Sequence, residues 1–385
     1  MNVFLKINYL IEIKIILLLF LVFSLNSCKN NSKQIVQEKP EFNLVDADAS
    51  VKVQNLYTKL KKISQKGFAI GHQDDTSYGI GWRYNSDSNV IKSDVNEVVG
   101  DFPAVYGFDL GHLELGSDVN LDSVPFNDMR KLMVDVYKKG GIITVSWHLD
   151  NPVTGGNSWD KTSAVSEILE GGKERAKYEL WVKRVATFLN SVQYNDEPVP
   201  MVFRPFHEMN GFWFWWGDPN CTSQDYIKLW QETVVLLRNK YQVHNLLYAY
   251  SPNKLNPDDD YMKYYPGDEY VDIFGIDIYD FNNADEYLKS VKHDLEIVKN
   301  IATEKGKLYA FTETGLEKLS TENWFSEVLY PTVENTGISW ILFWRNAHKS
   351  HFYMPYKEHS SVEDFIKFKE KPKTLFLKDL NNLTN

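Results

Sequence analysis

The segment Val202-Phe-Arg-Pro-Phe-His-Glu-Met-Asn-Gly-Phe-Trp-Phe-Trp-Trp-Gly217 carries the pattern from which the fold prediction starts. It begins as an apolar run, which is typical of a buried strand, and then turns polar at His207 and Glu208. A cluster of aromatic residues follows directly. Aromatic rings pack on the C–H faces of pyranose rings, and a carboxyl can protonate a glycosidic oxygen, so the segment suits a site that holds and cleaves a sugar polymer. The alternative is ordinary core beneath a loop, with Glu208 as a surface charge.

Seven other short runs rich in apolar, β-branched or aromatic residues accompany this one along the chain. Together the eight runs cover residues 68–73, 104–110, 141–148, 201–208, 245–253, 272–279, 308–314 and 339–345. Most are followed by a segment with helical periodicity, for instance 224–240 and 284–305. Strands that alternate with helices imply a parallel sheet. Eight such units predict an α/β fold, a (β/α)8 TIM barrel, as a single catalytic domain over residues 46–380.

The eight runs also share a direction, because they begin apolar and most of them end with groups able to do chemistry. In a barrel of this kind the active site lies at the C-terminal ends of the strands. A purely structural role for the runs does not explain polar groups gathered at that end. The side chains at these ends are His72, Asp109, His148, His207 with Glu208, Asp277 with Tyr279, Glu313, and Trp344 with Arg345.

Two carboxylates, Glu208 and Glu313, stand at the ends of the fourth and seventh predicted strands. A retaining glycosidase needs two carboxyl groups about 5–5.5 Å apart, one as acid/base and one as nucleophile. Side chains from strands four and seven can meet across the barrel mouth. The alternative for Glu313 is a hydrogen bond to a neighbouring strand at the top of the barrel.

The N-terminal 45 residues predict export and a lipid anchor rather than a folded element. Residues 15–25 form a short apolar stretch that suits a signal peptide and is too short for a spanning helix. Leu25-Asn26-Ser27-Cys28 resembles a bacterial lipoprotein signal, so we expect residues 1–27 to be removed and Cys28 to be lipidated. An ordinary secretory signal is the alternative. Polar residues 28–45 predict a flexible tether, and the expected location is the outer membrane, with the periplasmic face favoured.

Composition excludes several other classes of protein. The net charge of -10 argues against a nucleic-acid partner. Cys28 and Cys221 are the only cysteines, so lipidation of the first leaves no disulfide. No Cys/His cluster has metal-ligand spacing, so we predict no catalytic metal and no cofactor. Aromatic residues make up 14% of the chain, which fits either a sugar-binding cleft or a large core, and we expect a monomer.

The segment 204–217 resembles the acid/base signature of glycoside hydrolase family 26. Shorter segments similar to those of the family follow its order: Ser146-Trp-His148, Thr154-Gly-Gly-Asn-Ser-Trp-Asp160, Asp277-Ile-Tyr279, Phe311-Thr-Glu-Thr-Gly315 and Phe343-Trp-Arg345. The resemblance covers nearly all of the chain after the tether. Most members of the family are β-mannanases, and some cleave mixed-linkage β-glucan or β-xylan. Segment 154–160 looks like the mannanase version of its loop.

The resemblance implies a role for each matching residue. Glu208 would be the acid/base and Glu313 the nucleophile, with Tyr279 orienting Glu313 and Arg204 beneath the carboxylates. His207 would hold the hydroxyl nearest the reacting carbon. The remaining residues implied to contact sugars are Trp344 below the cleaved unit, Asp277 and Arg345 there or on its non-reducing side, and His148, Trp159 and Trp213 near the leaving-group side.

The predicted function is therefore a retaining β-1,4-mannanase that acts on mannan, glucomannan or galactomannan. Internal cleavage and release of mannobiose from a chain end are both left open, as is tolerance of galactose branches. One alternative is the same retaining chemistry on β-glucan or β-xylan. A second is a non-catalytic glycan-binding lipoprotein, which shares the anchor and the aromatic richness but has no need of two carboxylates at strands four and seven.

Overall fold

The computed structural model describes residues 43–88, 90–256 and 259–383, and a closed parallel β-barrel lies at its centre. Its strands in chain order are β1 Phe68–Gln73, β2 Val105–Asp109, β3 Ile142–Trp147, β4 Met201–Pro205, β5 Leu246–Tyr250, β6 Ile273–Asp280, β7 Leu308–Leu316 and β8 Trp340–Phe343. Neighbours in sequence are neighbours in the sheet, and β8 pairs with β1, for example His72 opposite Phe343. The predicted TIM barrel is confirmed, and every predicted run overlaps one of these strands, although β6 and β7 continue past their runs to Asp280 and Leu316.

Helices surround the barrel in the described part of the chain. The α-helices are α1 Val51–Lys66, α2 Asp94–Val99, α3 Phe126–Lys138, α4 Val165–Ile168, α5 Arg175–Ser191, α6 Ser223–Val235, α7 Ala284–Glu304, α8 Tyr330–Val333, α9 Val362–Lys369 and α10 Leu377–Leu383. Shorter helical turns are the π-type Leu236–Lys240 and Trp324–Leu329 and the 3-10 turn Glu317–Leu319. The predicted helix 224–240 thus ends in a π-type turn, and the predicted helix 284–305 matches α7 closely.

Further short strands lie outside the set of eight barrel strands. They pair as Tyr78–Gly79 with Trp82–Arg83 and as Gln193–Tyr194 with Glu197–Pro198, while Thr374–Leu375 adds to the start of β1. The first of these hairpins lies in the loop after β1, at the end of the barrel where the polar strand ends gather.

Helix α1 closes the opposite, N-terminal end of the barrel. The side chain of Ser50 accepts a hydrogen bond from Val53 N–H at the start of the helix. Apolar residues then recur at helical spacing on one face, which is buried. This face packs with residues at the beginnings of the strands, including Ala69, Val202, Leu247, Ile273 and Trp340. The sealed lower end leaves the C-terminal end as the open one.

The packed domain begins slightly before the predicted boundary at residue 46. Val45 is buried, its N–H donates to Asp272 at 2.8 Å, and its carbonyl accepts from Arg238 at 2.6 Å. The predicted tether therefore cannot extend as far as residue 45. At the other end α10 runs to Leu383, slightly past the predicted limit of 380.

The predicted signal peptide, the predicted lipidation site Cys28 and most of the predicted tether lie outside the described residues. Among the residues that are described, none of the helices has the length and apolar character needed to cross a membrane.

Candidate active site

The turn after β4 presents Glu208 at the open end of the barrel. Phe206 and Glu208 both have positive φ angles, 48° and 55°, which non-glycine residues rarely adopt. The surrounding structure holds this backbone in place. Tyr226 donates its hydroxyl to the carbonyl of Phe206 at 2.8 Å, and Glu208 N–H donates to the carbonyl of Ser251 at 2.8 Å. Strained backbone fixed from both sides is typical of functional sites, because it aims a side chain where regular structure would not.

A β-bulge in β7 places Glu313 at the same end. Phe311 pairs with Ile276, but the next paired residue of β7 is Glu313, opposite Asp277, so Thr312 is the extra residue. Its hydroxyl hydrogen-bonds within the barrel, at 3.0 Å from the carbonyl of Ile276 and 2.6 Å from Asp277 Oδ1. The bulge thereby fixes Thr312 in the interior and sets the direction of Glu313.

Arg204 lies beneath the carboxylates and joins two of them. Its guanidinium donates to Asp277 Oδ2 at 2.8 Å and to Glu313 Oε2 at 2.9 Å, and also to the Ser251 hydroxyl at 3.1 Å. The arginine and both acids are buried. Planar, multidentate contacts of this kind fix geometry as well as charge. Arg204 is therefore both a salt bridge within the barrel and the cation expected below the reactive groups.

The carboxylates of Glu208, Asp277 and Glu313 converge on one point. One oxygen from each lies within 4.8 Å of the others. Burial raises the pKa of Glu208 well above its usual value, and the nearby charges of Glu313 and Asp277 raise it further. The Trp213 indole N–H donates to Glu208 Oε2 at 2.8 Å, which acts in the opposite direction. The arrangement therefore provides a protonated carboxyl beside another carboxylate.

Asp277 is not open to the sugar contact that the family resemblance implied for it. Its side chain is 0% exposed, so its carboxylate has no surface open to a sugar. Both oxygens are held from within, by Thr312 on one side and by Arg204 and Ser251 on the other. Burial raises the pKa of Asp277 to about 8 despite the Arg204 charge. Instead of contacting a sugar, Asp277 takes part in the buried hydrogen-bond network with Arg204 and Thr312.

Glu313 is oriented by a second donor besides Arg204. The Tyr279 hydroxyl lies 3.1 Å from Glu313 Oε1 and donates to it. The Tyr279 ring packs edge-on against Tyr353, with ring centroids 5.5 Å apart. Burial raises the pKa of Tyr279 well above its usual value, and the Glu313 charge adds to the effect, so the phenol stays a donor. Tyr279 is thus in the position expected for it.

His148 stands at the end of β3 and is anchored by Asp109 of β2. Its Nδ1 lies 2.6 Å from Asp109 Oδ2, and the same carboxylate accepts from Ser146 and from Gly111 N–H. Although burial opposes it, the contacts with His148, Ser146 and Gly111 lower the pKa of Asp109 to about 2. Asp109 therefore supports the rim by holding His148 through Nδ1, which leaves Nε2 as the ring nitrogen that Asp109 does not bind.

His207 lies against His148, with ring centroids 4.6 Å apart in an edge arrangement. Burial lowers the pKa of His207 well below its usual value, and the charge of Arg204 lowers it further, so the ring is neutral. Its Nδ1 is buried and has no hydrogen-bond partner among the residues that the structure describes. The neutral imidazole therefore keeps one buried ring nitrogen whose hydrogen-bonding capacity is unused.

Aromatic side chains form one wall beside these groups. Trp159 stacks on His148 at 5.5 Å between ring centroids, and Trp344 lies 6.1 Å from His148. The Trp213 indole folds back over Gly211, where an added Cβ would lie 2.4 Å from the ring. Gly211 is thus what lets Trp213 reach Glu208. The structure brings the three predicted tryptophans to the same end of the barrel.

Arg345 points into a junction of three loops. It forms an ion pair with Asp122 from the loop after β2, and its Nη1 lies 3.4 Å from the hydroxyl of Tyr78 in the loop after β1. Its side chain remains partly exposed. Arg345 therefore combines a structural contact with access to the rim.

Ser251 and Thr312 are the site residues that sequence reasoning missed. Ser251 follows β5, the one predicted strand to which no polar end group was assigned, and it contacts both Arg204 and the backbone of Glu208. The indication that the sequence offered for Ser251 was its position directly after an apolar run. Thr312 lay inside the quoted segment Phe311-Thr-Glu-Thr-Gly315, but its importance depends on a bulge that no residue pattern announces.

Comparison with known proteins relates this geometry to a family. Residues 45–325 match the model described as glycosyl hydrolase family 26. A mannan endo-1,4-beta-mannosidase of Bifidobacterium adolescentis is 32% identical over 359 residues, which cover 86% of this chain and 35% of that protein. The chain thus spans about a third of the length of that curated relative.

Solved structures agree with the match. A family 26 beta-mannanase from Bacteroides ovatus superposes with a TM-score of 0.83 at 40% identity, covering 87% of this chain and 98% of that one. The catalytic domain of an endo-beta-1,4-mannanase from Bacillus sp. JAMB-750 gives 0.81 at 32% identity, covering 89% and 95%.

Proposed function

The chain belongs to glycosyl hydrolase family 26, and we propose that it hydrolyses β-1,4-mannosidic bonds of mannan, glucomannan or galactomannan with retention of configuration. The observation that carries this proposal is the spacing of Glu208 and Glu313, whose nearest oxygens lie within 4.8 Å. Retaining enzymes hold their carboxyl groups about 5–5.5 Å apart, whereas inverting enzymes need about 6.5–9.5 Å to admit a water.

Glu208 acts first as the acid. Its raised pKa keeps the proton on the carboxyl near neutral pH, and it gives this proton to the departing glycosidic oxygen. The same group, now ionised, then takes a proton from the water that hydrolyses the intermediate. Trp213 holds Glu208 Oε2 throughout and so sets the direction of the carboxyl.

Glu313 is the nucleophile in this proposal. Arg204 and Tyr279 each donate to one of its oxygens, which leaves the carboxylate oriented for attack on the anomeric carbon. Asp277 shares Arg204 with it and thereby fixes the guanidinium. We assign Asp277 this positioning role in place of a sugar contact.

The rim residues would bind the sugars. The family resemblance assigns His207 to a hydroxyl of the unit undergoing cleavage, and Trp344 offers a ring to the face of that unit. Arg345 contributes its partly exposed guanidinium to the non-reducing side. We assign Trp213 to the leaving-group side because it donates to Glu208. His148 and Trp159 are assigned to the same side because both pack against Phe214, which also contacts Trp213.

Two observations favour mannan over β-glucan or β-xylan. The relatives described above are named as mannanases. The segment Thr154-Gly-Gly-Asn-Ser-Trp-Asp160 also resembles the mannanase version of its loop.

The test is a time course of the purified protein on linear β-1,4-mannan, with products separated by size. A ladder of oligosaccharides at early times supports internal cleavage, and mannobiose from the first minutes supports release from a chain end. If mannan gives no products and β-glucan or β-xylan does, the substrate is that alternative polysaccharide and the retaining chemistry is the same. Binding of mannan without turnover would favour the glycan-binding alternative.

Trp213→Phe is expected to move the alkaline limb of the kcat/KM profile to higher pH. Glu208 must be protonated to act, so activity is present below its raised pKa and is lost above it. The Trp213 N–H stabilises the ionised carboxylate and lowers that pKa, so its removal should raise the limb by about one pH unit. The measurement is kcat/KM on mannooligosaccharides from pH 4 to 10.

Trp159→Phe is the matched control for this experiment, because Trp159 stacks on His148 and makes no hydrogen bond to Glu208. Its alkaline limb should stay with that of the unmodified protein. A limb that is unmoved in Trp213→Phe, or that moves to lower pH, would contradict the assignment of Glu208 as the acid.

We further propose that the protein is a lipoprotein anchored through Cys28 to the outer membrane, facing the periplasm. The support is the sequence Leu25-Asn26-Ser27-Cys28 after an apolar stretch. Cells producing the full chain and fed an alkyne-tagged palmitate should yield a labelled protein in the membrane fraction. Cys28→Ala should abolish the label, whereas persistence of the label in this variant would refute the anchor site.

A further inference from the structure

Phe212 is an exposed aromatic residue that the proposed mechanism does not use. Its side chain is 62% exposed in the loop after β4, four residues beyond Glu208. Large apolar side chains at such exposure carry a hydration cost. Single exposed hydrophobic residues are common and need no explanation. Phe212 differs from such residues because its ring packs against Trp213 and lies close to the Lys161 ammonium.

Phe212 continues an aromatic series that starts at the acid. The Trp213 indole donates to Glu208 Oε2, and the Phe212 ring packs edge-on against Trp213, with ring centroids 5.4 Å apart and an interplanar angle of 72°. The leaving group departs beside the acid that protonates it. Trp213 therefore adjoins the first leaving-group unit, and Phe212 stands one ring further out, a step close to the length of one hexopyranose.

A second loop holds Phe212 in this place. The Lys161 ammonium lies 4.5 Å from the centre of the Phe212 ring, within the range of a cation–π contact. The loops that carry these two residues are tied together by the hydrogen bond from Trp215 N–H to the carbonyl of Ser158, at 3.3 Å. Trp159, 48% exposed, stands beside Ser158 on the same wall. The Phe212 ring is thus held by the contact with Lys161, although most of its surface is open to solvent.

We propose that Phe212 and Lys161 form an outer subsite for the second hexopyranose on the leaving-group side of a β-1,4-linked chain. The ring offers an apolar face to the sugar C–H groups, and the ammonium offers donors to its hydroxyls. This inference rests on the proposed function and adds one unit to the length of substrate that the protein recognises.

The experiment compares two substrates that differ in what occupies this position. Mannopentaose can place two sugars on the leaving-group side, whereas nitrophenyl β-mannobioside places only its nitrophenol there. Phe212→Ala should lower kcat/KM on mannopentaose about tenfold, mainly through KM, and change kcat/KM on the aryl substrate less than about twofold. Phe212→Trp should restore activity on mannopentaose.

Phe281→Ala is the matched control, because Phe281 is an 85% exposed phenylalanine in the loop after β6 with no place in the Trp213 series. It should leave the ratio of the two kcat/KM values unchanged. An equal loss on both substrates in Phe212→Ala, or the same shift in Phe281→Ala, overturns the subsite alone. Failure of the unmodified protein to hydrolyse either mannoside overturns the proposed function, and the subsite with it.

Discussion

Glu313→Ala is expected to lower kcat on mannan by at least about 10⁴-fold, the scale of loss when a nucleophile is removed. Without this carboxylate no covalent glycosyl-enzyme can form, and the positive charge that develops at the anomeric carbon has no partner. The fold should survive the change, since Arg204 keeps its ion pair with Asp277. The measurement is initial rate on mannan, alongside the thermal midpoint of unfolding.

Added azide discriminates a missing nucleophile from a damaged site. In Glu313→Ala a small anion can enter the space left by the carboxylate and attack from the same side, which gives the α-mannosyl azide. Glu317→Ala is a suitable control, because Glu317 follows β7 at the surface and contacts His351. Azide rescue that yields the β-product in Glu313→Ala, or full activity without azide, would show that Glu313 is not the nucleophile.

Glu208→Ala is expected to slow hydrolysis of mannan by about 10²–10⁴-fold, the usual contribution of general acid–base catalysis. The loss should depend on the leaving group. A sugar needs the proton, while dinitrophenolate departs without it, so formation of the glycosyl-enzyme from a dinitrophenyl mannobioside should be nearly unaffected. A burst of dinitrophenol followed by slow turnover is the expected time course, because the water still lacks its base.

The product formed with azide again reports the role. In Glu208→Ala azide attacks the intermediate from the face that water uses, so the β-mannosyl azide is expected. The alkaline limb that depends on the raised pKa of Glu208 should also disappear. Equal losses on the sugar and dinitrophenyl substrates, with the alkaline limb intact, would assign the acid to a different residue.

The barrel was predictable because its signals are local and repeated. Each of the eight runs is mainly apolar and ends close to the C-terminal end of an observed strand, so the pattern placed both Glu208 and Glu313 at the open rim. A buried parallel strand needs an apolar run, and a rim position permits a polar group, so residue types alone carry this information. Helix α1, which seals the other end, was included in the predicted domain but had no assigned position.

The internal geometry of the site was less predictable because it depends on contacts between strands. The bulge at Thr312 and the positive φ of Glu208 are responses of the backbone to packing, and no residue type at these positions requires them. Asp277 shows the consequence. The family resemblance implied a sugar contact for it, but the inward direction of its side chain brings it to Arg204 and Thr312 instead.

The buried charges explain why this geometry is held so firmly. Arg204 supplies one positive charge to a point where three carboxyl groups converge. Leaving any of them ionised and unpaired away from water is costly, so the group shares protons and hydrogen bonds among its members. The raised pKa of Glu208 and that of Asp277 are two results of this one constraint, and the first of them is what makes Glu208 an acid.

The most direct test of retaining hydrolysis by Glu208 and Glu313 is proton NMR of the anomeric signals during the first minutes of mannan cleavage. The β-anomer of the new reducing ends should appear first, and the α-anomer should follow only as mutarotation proceeds. An α-anomer that forms first would mean inversion. In that case Glu313 is not a nucleophile, and the spacing of Glu208 and Glu313 does not indicate a retaining enzyme.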